Sequence, residues 1–326
     1  MKILVTGVPG QLAHCIYDEI QSHFIRDEFL FTDKKTLDIT DFSCVDNFFT
    51  EHNDINIVIN CAAYTNVEKA ENDIVGAFQV NSRGVKNIVD ACEKYDMALF
   101  HISTDYVYEG GICMEDAPLK PLSIYAQSKR DGELHIEKSN IKKWFIFRTS
   151  WLFSEYDGNY VTNILKKAQD ITQIMYGVTD EIGCPTYARK LAAILINLID
   201  TEKYITMENG IYNVCGGGYT SRYEFTKTIL GGYVNLPIFT EKYTNDLDYN
   251  YYAKLLHVNP ITKVEAYKMF NLKAPRPDTV ILNNKKIHSV IDYDEYHNFI
   301  TNDFMRDSWE NDLADCLTRY NELHQD

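Results

Sequence analysis

Short runs of β-branched, aliphatic and aromatic residues alternate with longer amphipathic stretches along the first half of the chain. The short runs predict strands at residues 2–6, 28–32, 55–60, 98–103 and 144–149. Between them, residues 75–95 place apolar side chains at helical intervals, and Asp41 is well placed to cap a helix running toward Phe49. This alternation predicts an α/β fold built on a doubly wound parallel sheet, that is, a Rossmann-like fold.

The second half is less regular, because turn signals rich in Gly and Pro separate shorter elements. A helix at 187–199 and a strand at 210–214 are regular enough to return to the main sheet. We therefore predict a dinucleotide-binding domain at 1–150, rejoined by 187–215, and a smaller α/β substrate lobe formed by 151–186 and 216–326. An acidic stretch at about 288–305 precedes a final helix predicted at 307–320.

Composition narrows the class of protein. The formal net charge of −15 over 326 residues opposes binding to nucleic acid or to an anionic membrane, since both need clustered Lys and Arg. No apolar run approaches the roughly 20 residues of a membrane helix, and the chain turns glycine-rich too early for a signal peptide. The eight cysteines are scattered, which favours free thiols and a cytoplasmic location. The nine histidines show no ligand spacing, so we nominate no metal site.

A glycine turn follows the first predicted strand and opens a helix. Gly7, Gly10, Gln11 and Leu12 form it, and Ala13 stands at the third glycine position. In this context the backbone N–H groups and the helix N-terminus can meet a pyrophosphate, although the motif alone is equally compatible with an ordinary strand-to-helix turn.

Three further segments extend the predicted nucleotide site. Asp33 follows the second strand at the interval expected for a carboxylate that binds ribose hydroxyls, which favours NAD, but Lys34 and Lys35 leave NADP open. Asp38 and Ile39 are placed to close over the adenine. A segment after the third strand lies where nucleotide crevices form in open α/β sheets: Ala62, Ala63, Tyr64 and Thr65.

Tyr125 and Lys129 stand four residues apart and share one helix face. A nearby ammonium favours phenolate, so this pairing predicts a tyrosine whose pKa is brought down toward neutral pH for acid–base work. Thr104, at the carboxyl end of the fourth strand, can help to bind a substrate carbonyl oxygen. A second pair with the same spacing, Tyr223 and Lys227, lacks such a strand end and is predicted to be structural.

Several of these segments together resemble the extended short-chain dehydrogenase/reductase family, and within its sugar-nucleotide-modifying branch the dTDP-4-dehydrorhamnose reductases. The resemblance covers most of the chain, at 7–12, 37–40, 60–65, 103–107, 125–129, 148–151, 180–186 and 276–277. The glycine turn and the Tyr-x-x-x-Lys pair belong to the whole superfamily, whereas Thr-Asp-Tyr-Val, Arg-Thr-Ser-Trp and Gly-Cys-Pro-Thr indicate the 4-keto-sugar reductases. Ala13 and the acidic stretch depart from the family pattern.

The resemblance implies that NADPH or NADH reduces the 4-keto group of a nucleotide-linked 6-deoxy sugar, with dTDP-4-dehydrorhamnose as the first choice of substrate. It implies that Tyr125 donates the proton, Thr104 orients the carbonyl oxygen and Lys129 binds the nicotinamide ribose. Asp105 and Trp151 would contact the sugar nucleotide, although on residue type alone Trp151 is more simply a core aromatic and Asp105 a turn cap. The oligomeric state is left open, with a homodimer as one option.

Three other interpretations compete with a reductase. Sugar-nucleotide 4,6-dehydratases share the fold and the Tyr-Lys pair but typically carry Asp-Glu after the threonine, where this chain has Asp105 and Tyr106. Epimerases are harder to exclude. A non-catalytic nucleotide-binding subunit, like the regulatory subunit of methionine adenosyltransferase, is the rival from another class, because fold alone does not decide function.

Overall fold

A computed structural model describes residues 1–22, 27–170, 172–243, 255–291 and 308–324 of the chain. The strands are β1 Lys2–Val8, β2 Glu28–Asp33, β3 Ile57–Asn60, β4 Ala98–Thr104, β5 Gly111–Cys113, β6 Trp144–Thr149, β7 Leu152–Phe153, β8 Met175–Val178, β9 Ile182–Gly183, β10 Thr186–Tyr187, β11 Gly210–Asn213, β12 Thr220–Ser221, β13 Val258–Ile261 and β14 Val280–Leu282. The helices are α1 Gln11–Ser22, α2 Phe42–Glu51, α3 Val67–Ala70, α4 Ile74–Phe78, α5 Val85–Tyr95, α6 Ile124–Glu137, α7 Tyr160–Ala168, α8 Ala188–Asp200, α9 Lys203–Thr206, α10 Arg222–Tyr233, α11 Pro237–Tyr243, α12 Lys263–Phe270, α13 Lys285–His288 and α14 Trp309–Leu323.

A parallel sheet of six strands in the order β11-β6-β4-β3-β1-β2 forms the centre of the fold. Strand β2 lies on one side of β1, whereas β3 and the later strands β4, β6 and β11 follow one another on the other side. The strand order therefore reverses between β1 and β3. In doubly wound sheets, ligands bind outside the carboxyl ends of the strands at this reversal. The topology therefore selects the edge of the sheet on which a site is expected.

Both faces of this sheet are buried because its strands alternate between two apolar layers. Ile3 and Val5 of β1 join a cluster with α1 and α8, whereas Leu4 points to the opposite cluster with α2 and α5. Burial on both faces explains why the strands are almost continuously hydrophobic in sequence. The rigid sheet is the platform on which the loops at its carboxyl edge are held.

A second hydrophobic cluster lies outside the sheet layers. It joins α7, α10 and α14, with Phe225 and Leu313 fully or almost fully buried. The short strand pairs β8–β13 and β9–β12 flank these helices. This cluster is the core beneath the part of the chain that the sequence assigns to a substrate lobe, although the exact division into domains stays a prediction.

The predicted fold class is confirmed, and the predicted strands of the sheet agree with the structure to within two residues at each end. Asp41 caps α2 by accepting hydrogen bonds from the backbone N–H groups of Ser43 and Cys44, as predicted. The predicted helix at 75–95 is present, and a π-helical turn at Gln79–Gly84 lies within it between α4 and α5. The final helix begins at Trp309, two residues later than predicted, and most of the acidic stretch at 288–305 lies outside the described residues.

Within the described ranges, no helix combines the length and the apolar character needed to cross a membrane.

Candidate active site

A pocket of about 420 Å³ opens at the carboxyl ends of the central strands, where the strand order reverses. Its walls come from the glycine turn after β1, the segments after β3, β4 and β6, and one face of α6. Predicted site residues that line it are Gly10, Gln11, Leu12, Ala63, Thr65, Thr104, Asp105, Tyr125, Lys129 and Trp151. The tertiary structure thus brings the predicted catalytic residues and the predicted pyrophosphate turn into one cavity.

The glycine turn is shaped for close approach. Gly7 has φ of +91°, and a Cβ at this position would lie 2.7 Å from the backbone nitrogen of Ala62. A Cβ at Gly10 would lie 2.7 Å from the Gly7 carbonyl oxygen. Only glycine fits both positions, and the turn leads directly into α1, whose first turn contains no acidic side chain. These features fit the phosphates of a dinucleotide cofactor.

The Gln11 side chain makes two hydrogen bonds that the glycine motif does not predict. Its side-chain amide donates to the Leu152 carbonyl oxygen at 3.3 Å and accepts from the Ser154 hydroxyl at 3.1 Å. The side chain therefore ties the start of α1 to the segment after β6, which leaves its backbone N–H as the group that can meet a phosphate.

The remaining predicted cofactor residues lie outside this pocket. Asp33 ends β2 with an exposed carboxylate, and its pKa is lowered by hydrogen bonds from the Thr36 backbone and hydroxyl. Asp38 lines a separate cavity of about 610 Å³, and Ile39 packs on Gly84. Tyr64 is held in place by Asn81, which accepts from its backbone N–H and donates to its carbonyl oxygen. The adenosine roles of these residues stay predictions.

The catalytic candidates sit on two adjoining elements. Ser123 caps α6 by accepting from the Ala126 N–H at 3.2 Å, and the helix then presents Tyr125 and Lys129 on the face toward β4. Thr104 is the last residue of β4, so its hydroxyl lies at the carboxyl end of the strand. The ring of Tyr106 meets that of Tyr125 edge to face, with centroids 6.1 Å apart.

The structure corrects the predicted effect of Lys129 on Tyr125. Burial raises the pKa of Tyr125 to about 12, and the hydrogen bond with Thr104 opposes that rise only in part. The Lys129 ammonium instead donates to the Ile102 carbonyl oxygen at 2.6 Å and lies 3.3 Å from Nε2 of His101. The phenol is therefore held in its protonated, proton-donating form.

Asp105 and Trp151 also line the pocket. Asp105 accepts hydrogen bonds from the hydroxyls of Ser150 at 2.7 Å and Thr104 at 3.2 Å, and its burial raises its pKa to about 6. Trp151 adopts a positive φ of 44°, and the absence of a side chain at Gly183 leaves room for its indole ring. Its ring lines the pocket and also stacks on Phe225 of the second cluster with centroids 6.2 Å apart, so its binding role stays a prediction beside the core-aromatic alternative.

Comparison with known proteins gives the family. The profile described as the RmlD substrate binding domain matches residues 1–321. A dTDP-4-dehydrorhamnose reductase from Aggregatibacter actinomycetemcomitans is 37% identical over 238 residues, which cover 70% of this chain and 78% of the relative. This chain belongs to the dTDP-4-dehydrorhamnose reductase family.

Two solved structures of this family superpose on the whole fold. The reductase from Clostridium acetobutylicum has a TM-score of 0.78 and 28% identity, and the match covers 100% of both chains. The reductase from Bacillus anthracis, in complex with NADP, has a TM-score of 0.75 and 29% identity over 98% of this chain and 99% of that one.

Within this family fold, sequence patterns missed several residues of the pocket. Asp157, Gly158 and Asn159 line it, and the chain pattern marked them only as a turn. Arg222 lines it from the start of α10, 71 positions beyond Trp151, and no local motif points to it. His101 and Asn81 lie behind the pocket and contact Lys129 and Ser128. Their common feature is contact across the fold, which periodicity along the chain does not encode.

The second Tyr-Lys pair behaves as expected of a structural pair. Lys227 forms an ion pair with Glu224 at 3.2 Å and lies over the Tyr223 ring at 5.1 Å, and neither Tyr223 nor Lys227 belongs to the pocket lining.

Proposed function

We propose that this protein uses NADPH or NADH to reduce the 4-keto group of a nucleotide-linked 6-deoxy-4-keto sugar, with dTDP-4-dehydrorhamnose as the first candidate substrate. The observation that carries the proposal is the meeting of Tyr125, Thr104 and Lys129 in one buried pocket with the glycine turn. Membership of the dTDP-4-dehydrorhamnose reductase family supports the substrate class.

The residues present fit a nicotinamide cofactor. Gly7 and Gly10 admit phosphates at the start of α1, while Lys129 is the cation that would hold the nicotinamide ribose in the same pocket. The bound cofactor would supply hydride to the carbonyl carbon of the sugar. Asp33 would take the adenosine ribose hydroxyls, with Lys34 and Lys35 beside it, so both cofactors are candidates.

Tyr125 acts as the general acid in this proposal. Because its pKa is raised to about 12, the phenol carries its proton at neutral pH and can give it to the oxygen that becomes negative during reduction. The Thr104 hydroxyl is hydrogen-bonded to Tyr125 and donates to Asp105, and in this proposal it positions the carbonyl oxygen of the substrate. Proton donation at this point keeps charge from accumulating in a buried pocket.

Tyr106 supports reduction over dehydration. It lies in the pocket wall beside Tyr125, and burial raises the pKa of Tyr106 well above its usual value. A phenol of this kind is a poor substitute for the carboxylic acid that the dehydratases use to expel water.

We also propose that the chain works in the cytoplasm and that residues 151–186 and 216–326 form the substrate lobe. All eight cysteines are free in the structure, which suits a reducing compartment. The pocket lies between the sheet layers and the second hydrophobic cluster, as expected for a site shared by a cofactor domain and a substrate lobe.

The test is the loss of nicotinamide absorbance when dTDP-4-dehydrorhamnose, generated in situ, is added with NADPH or NADH. We expect oxidation by the wild type and a loss of about 10²- to 10⁴-fold in kcat for Tyr125→Phe, because the proton donor is removed. Tyr223→Phe is the matched control, since it alters a tyrosine of the same spacing outside the pocket, and should stay within about twofold of the wild type.

Retained nucleotide binding without any oxidation would reject this substrate assignment. That result would favour another keto sugar as the substrate, or a role as a non-catalytic nucleotide-binding subunit. Equal losses in Tyr125→Phe and Tyr223→Phe would reject Tyr125 as the acid.

A further inference from the structure

Arg222 lies in the wall between the reaction pocket and a second cavity. The second cavity has a volume of about 590 Å³ and is lined by aromatic and aliphatic side chains that include Tyr176, Tyr267 and Phe270. Arg222 lines both cavities, and its charge reaches Asp105 strongly enough to oppose the rise in the pKa of that carboxyl. A molecule that occupies both cavities must therefore pass this guanidinium.

The guanidinium is held rigidly by its surroundings. It stacks 3.4 Å from the centroid of the Trp151 ring and 4.5 Å from that of Tyr160. Its Nε donates to Oε1 of Glu181 at 3.2 Å, and the side chain is only 15% exposed. Two aromatic faces and one carboxylate thus fix the plane of the group before any ligand arrives, which reduces the entropy lost on binding.

One N–H group of the Arg222 guanidinium has no hydrogen-bond partner among the described residues. The nitrogen of this group, Nη1, is buried. A buried N–H without a partner is costly, and structures rarely keep one without a reason. Because the guanidinium fork matches the oxygens of phosphate groups, an anionic phosphate is the ligand that such a donor suits.

Two other cations of the second cavity form ion pairs, while Lys167 lines it as an exposed side chain. Lys263 forms an ion pair with Asp278 at 2.6 Å, and Arg276 with Glu68 at 2.6 Å. Arg222 meets its carboxylate through Nε alone, and it is the cation that both cavities share. In a chain of net charge −15, this position favours an anion at the junction.

We propose that Arg222 binds the diphosphate of the nucleotide-sugar substrate at this junction, with the sugar directed toward Tyr125 and the nucleoside in the second cavity. This inference rests on the proposed function for the substrate class, but it concerns binding and does not need turnover. Trp151, Tyr160 and Glu181 then act as positioning residues for the guanidinium.

The test is calorimetric titration of the NADP⁺-saturated enzyme with dTDP, UDP and GDP. With the nucleotide that the wild type binds best, Arg222→Gln is expected to raise Kd about 10- to 100-fold, because a charge-assisted hydrogen bond is lost. Glu181→Gln is expected to lower Kd or leave it unchanged, because the amide oxygen can still accept from Nε of Arg222 while a negative charge beside the diphosphate is removed. Lys227→Gln, which removes an exposed cation from the same helix, should stay within about twofold.

Arg222→Gln is expected to weaken nucleotide binding and Glu181→Gln is not. This difference distinguishes a binding role of Arg222 from a structural one. If Arg222 and Glu181 only shape the wall, both variants weaken binding together, and that result overturns the inference. An unchanged Kd in Arg222→Gln, or a wild type that binds none of the three nucleotides, also overturns it. If Arg222→Gln fails to fold, Arg222→Lys replaces it in the titration because it keeps the charge. Wild-type nucleotide affinity in that variant would count against a guanidinium at the diphosphate.

The inference and the proposed function can fail independently. If nucleotide binding depends on Arg222 but no nicotinamide is oxidised with the keto sugar, the reaction is wrong and the diphosphate site stands. If the reaction proceeds and Arg222→Gln changes neither Kd nor KM for the sugar nucleotide, the site is wrong and the reaction stands.

Discussion

Lys129 ends a line of buried polar groups that runs back through the sheet. Its ammonium lies 3.3 Å from Nε2 of His101, whose Nδ1 is 3.2 Å from the Asn60 amide, and Asn60 accepts from the Thr6 hydroxyl at 2.7 Å. Burial lowers the pKa of Lys129 to about 8, against an opposing effect of Glu133 and Cys61. Burial and the Lys129 charge also hold the pKa of His101 well below its usual value, so the imidazole stays neutral.

These shifts predict how activity depends on pH. Lys129 is an ammonium below about pH 8 and loses its charge as the pH rises through that value, whereas Tyr125 keeps its proton to about pH 12. We expect kcat/KM to fall above an apparent pKa near 8, because the cation that would hold the nicotinamide ribose is lost. The measurement is the pH profile of the wild type from pH 6 to about 10.

Lys129→Arg provides the control, since a guanidinium stays charged across this range. This variant should be slower overall and should lack the fall near pH 8. A wild-type profile that is flat to pH 10, or an unchanged fall in Lys129→Arg, would assign the pH dependence to another group.

At the scale of elements, α6 reaches its position because Gly132 allows close contact with the π-helical turn. A Cβ at Gly132 would lie 2.1 Å from the carbonyl oxygen of Asn81. The Asn81 side chain donates to the Ser128 hydroxyl of α6 and to the Tyr64 carbonyl oxygen, each at 3.0 Å. One contact region thus sets the position of the helix that carries Tyr125 and that of the loop after β3.

Gly132→Ala should therefore destabilise the fold and disturb the site. We expect a loss of about 1–3 kcal/mol in the free energy of unfolding, because a methyl group is forced against backbone. Gly231→Ala is the matched control in α10, where an added Cβ has no atom of a described residue within 4 Å, and it should stabilise by about 0.5–1 kcal/mol. Urea denaturation measures both, and equal midpoints for the two variants would show that α6 moves away without cost.

At the scale of the whole molecule, a buried ion pair joins the sheet layers to the second hydrophobic cluster. Lys190 of α8 lies 2.6 Å from Asp312 of α14, and the two side chains are 6% and 3% exposed. Helix α8 packs on α1 over the sheet, whereas α14 belongs to the second cluster with α10. The pair therefore spans the two cores between which the pocket lies.

Removing one partner of this buried ion pair should lower the free energy of unfolding far more than removing one partner of a surface ion pair. Lys190→Met is expected to lower the free energy of unfolding by about 3–5 kcal/mol, because it leaves a buried carboxylate without this cation. The double variant Lys190→Met/Asp312→Leu should recover most of that loss. Lys86→Met, which breaks the exposed pair with Asp90 at 2.7 Å, should cost less than about 1 kcal/mol. If Lys190→Met costs no more than Lys86→Met in urea denaturation, the pair does not couple the two cores.

Features that depend on neighbours along the chain could be predicted from the sequence alone. Alternating apolar runs located the strands, Asp41 identified a helix start, and the four-residue spacing placed Tyr125 and Lys129 on one helix face beside the strand that ends at Thr104. These features follow from periodicity and cap chemistry, which act over a few residues.

Features that depend on burial and on contacts between distant segments became visible in the folded protein. The tertiary structure raised the pKa of Tyr125 where the Tyr-Lys spacing predicted a lower one, because burial of the phenol outweighs any effect of its neighbours and Lys129 is bound to Ile102 and close to His101. It also placed Arg222 on Trp151, 71 positions away in the chain. Desolvation and packing between distant segments have no signature in local sequence, since they are set by the whole fold.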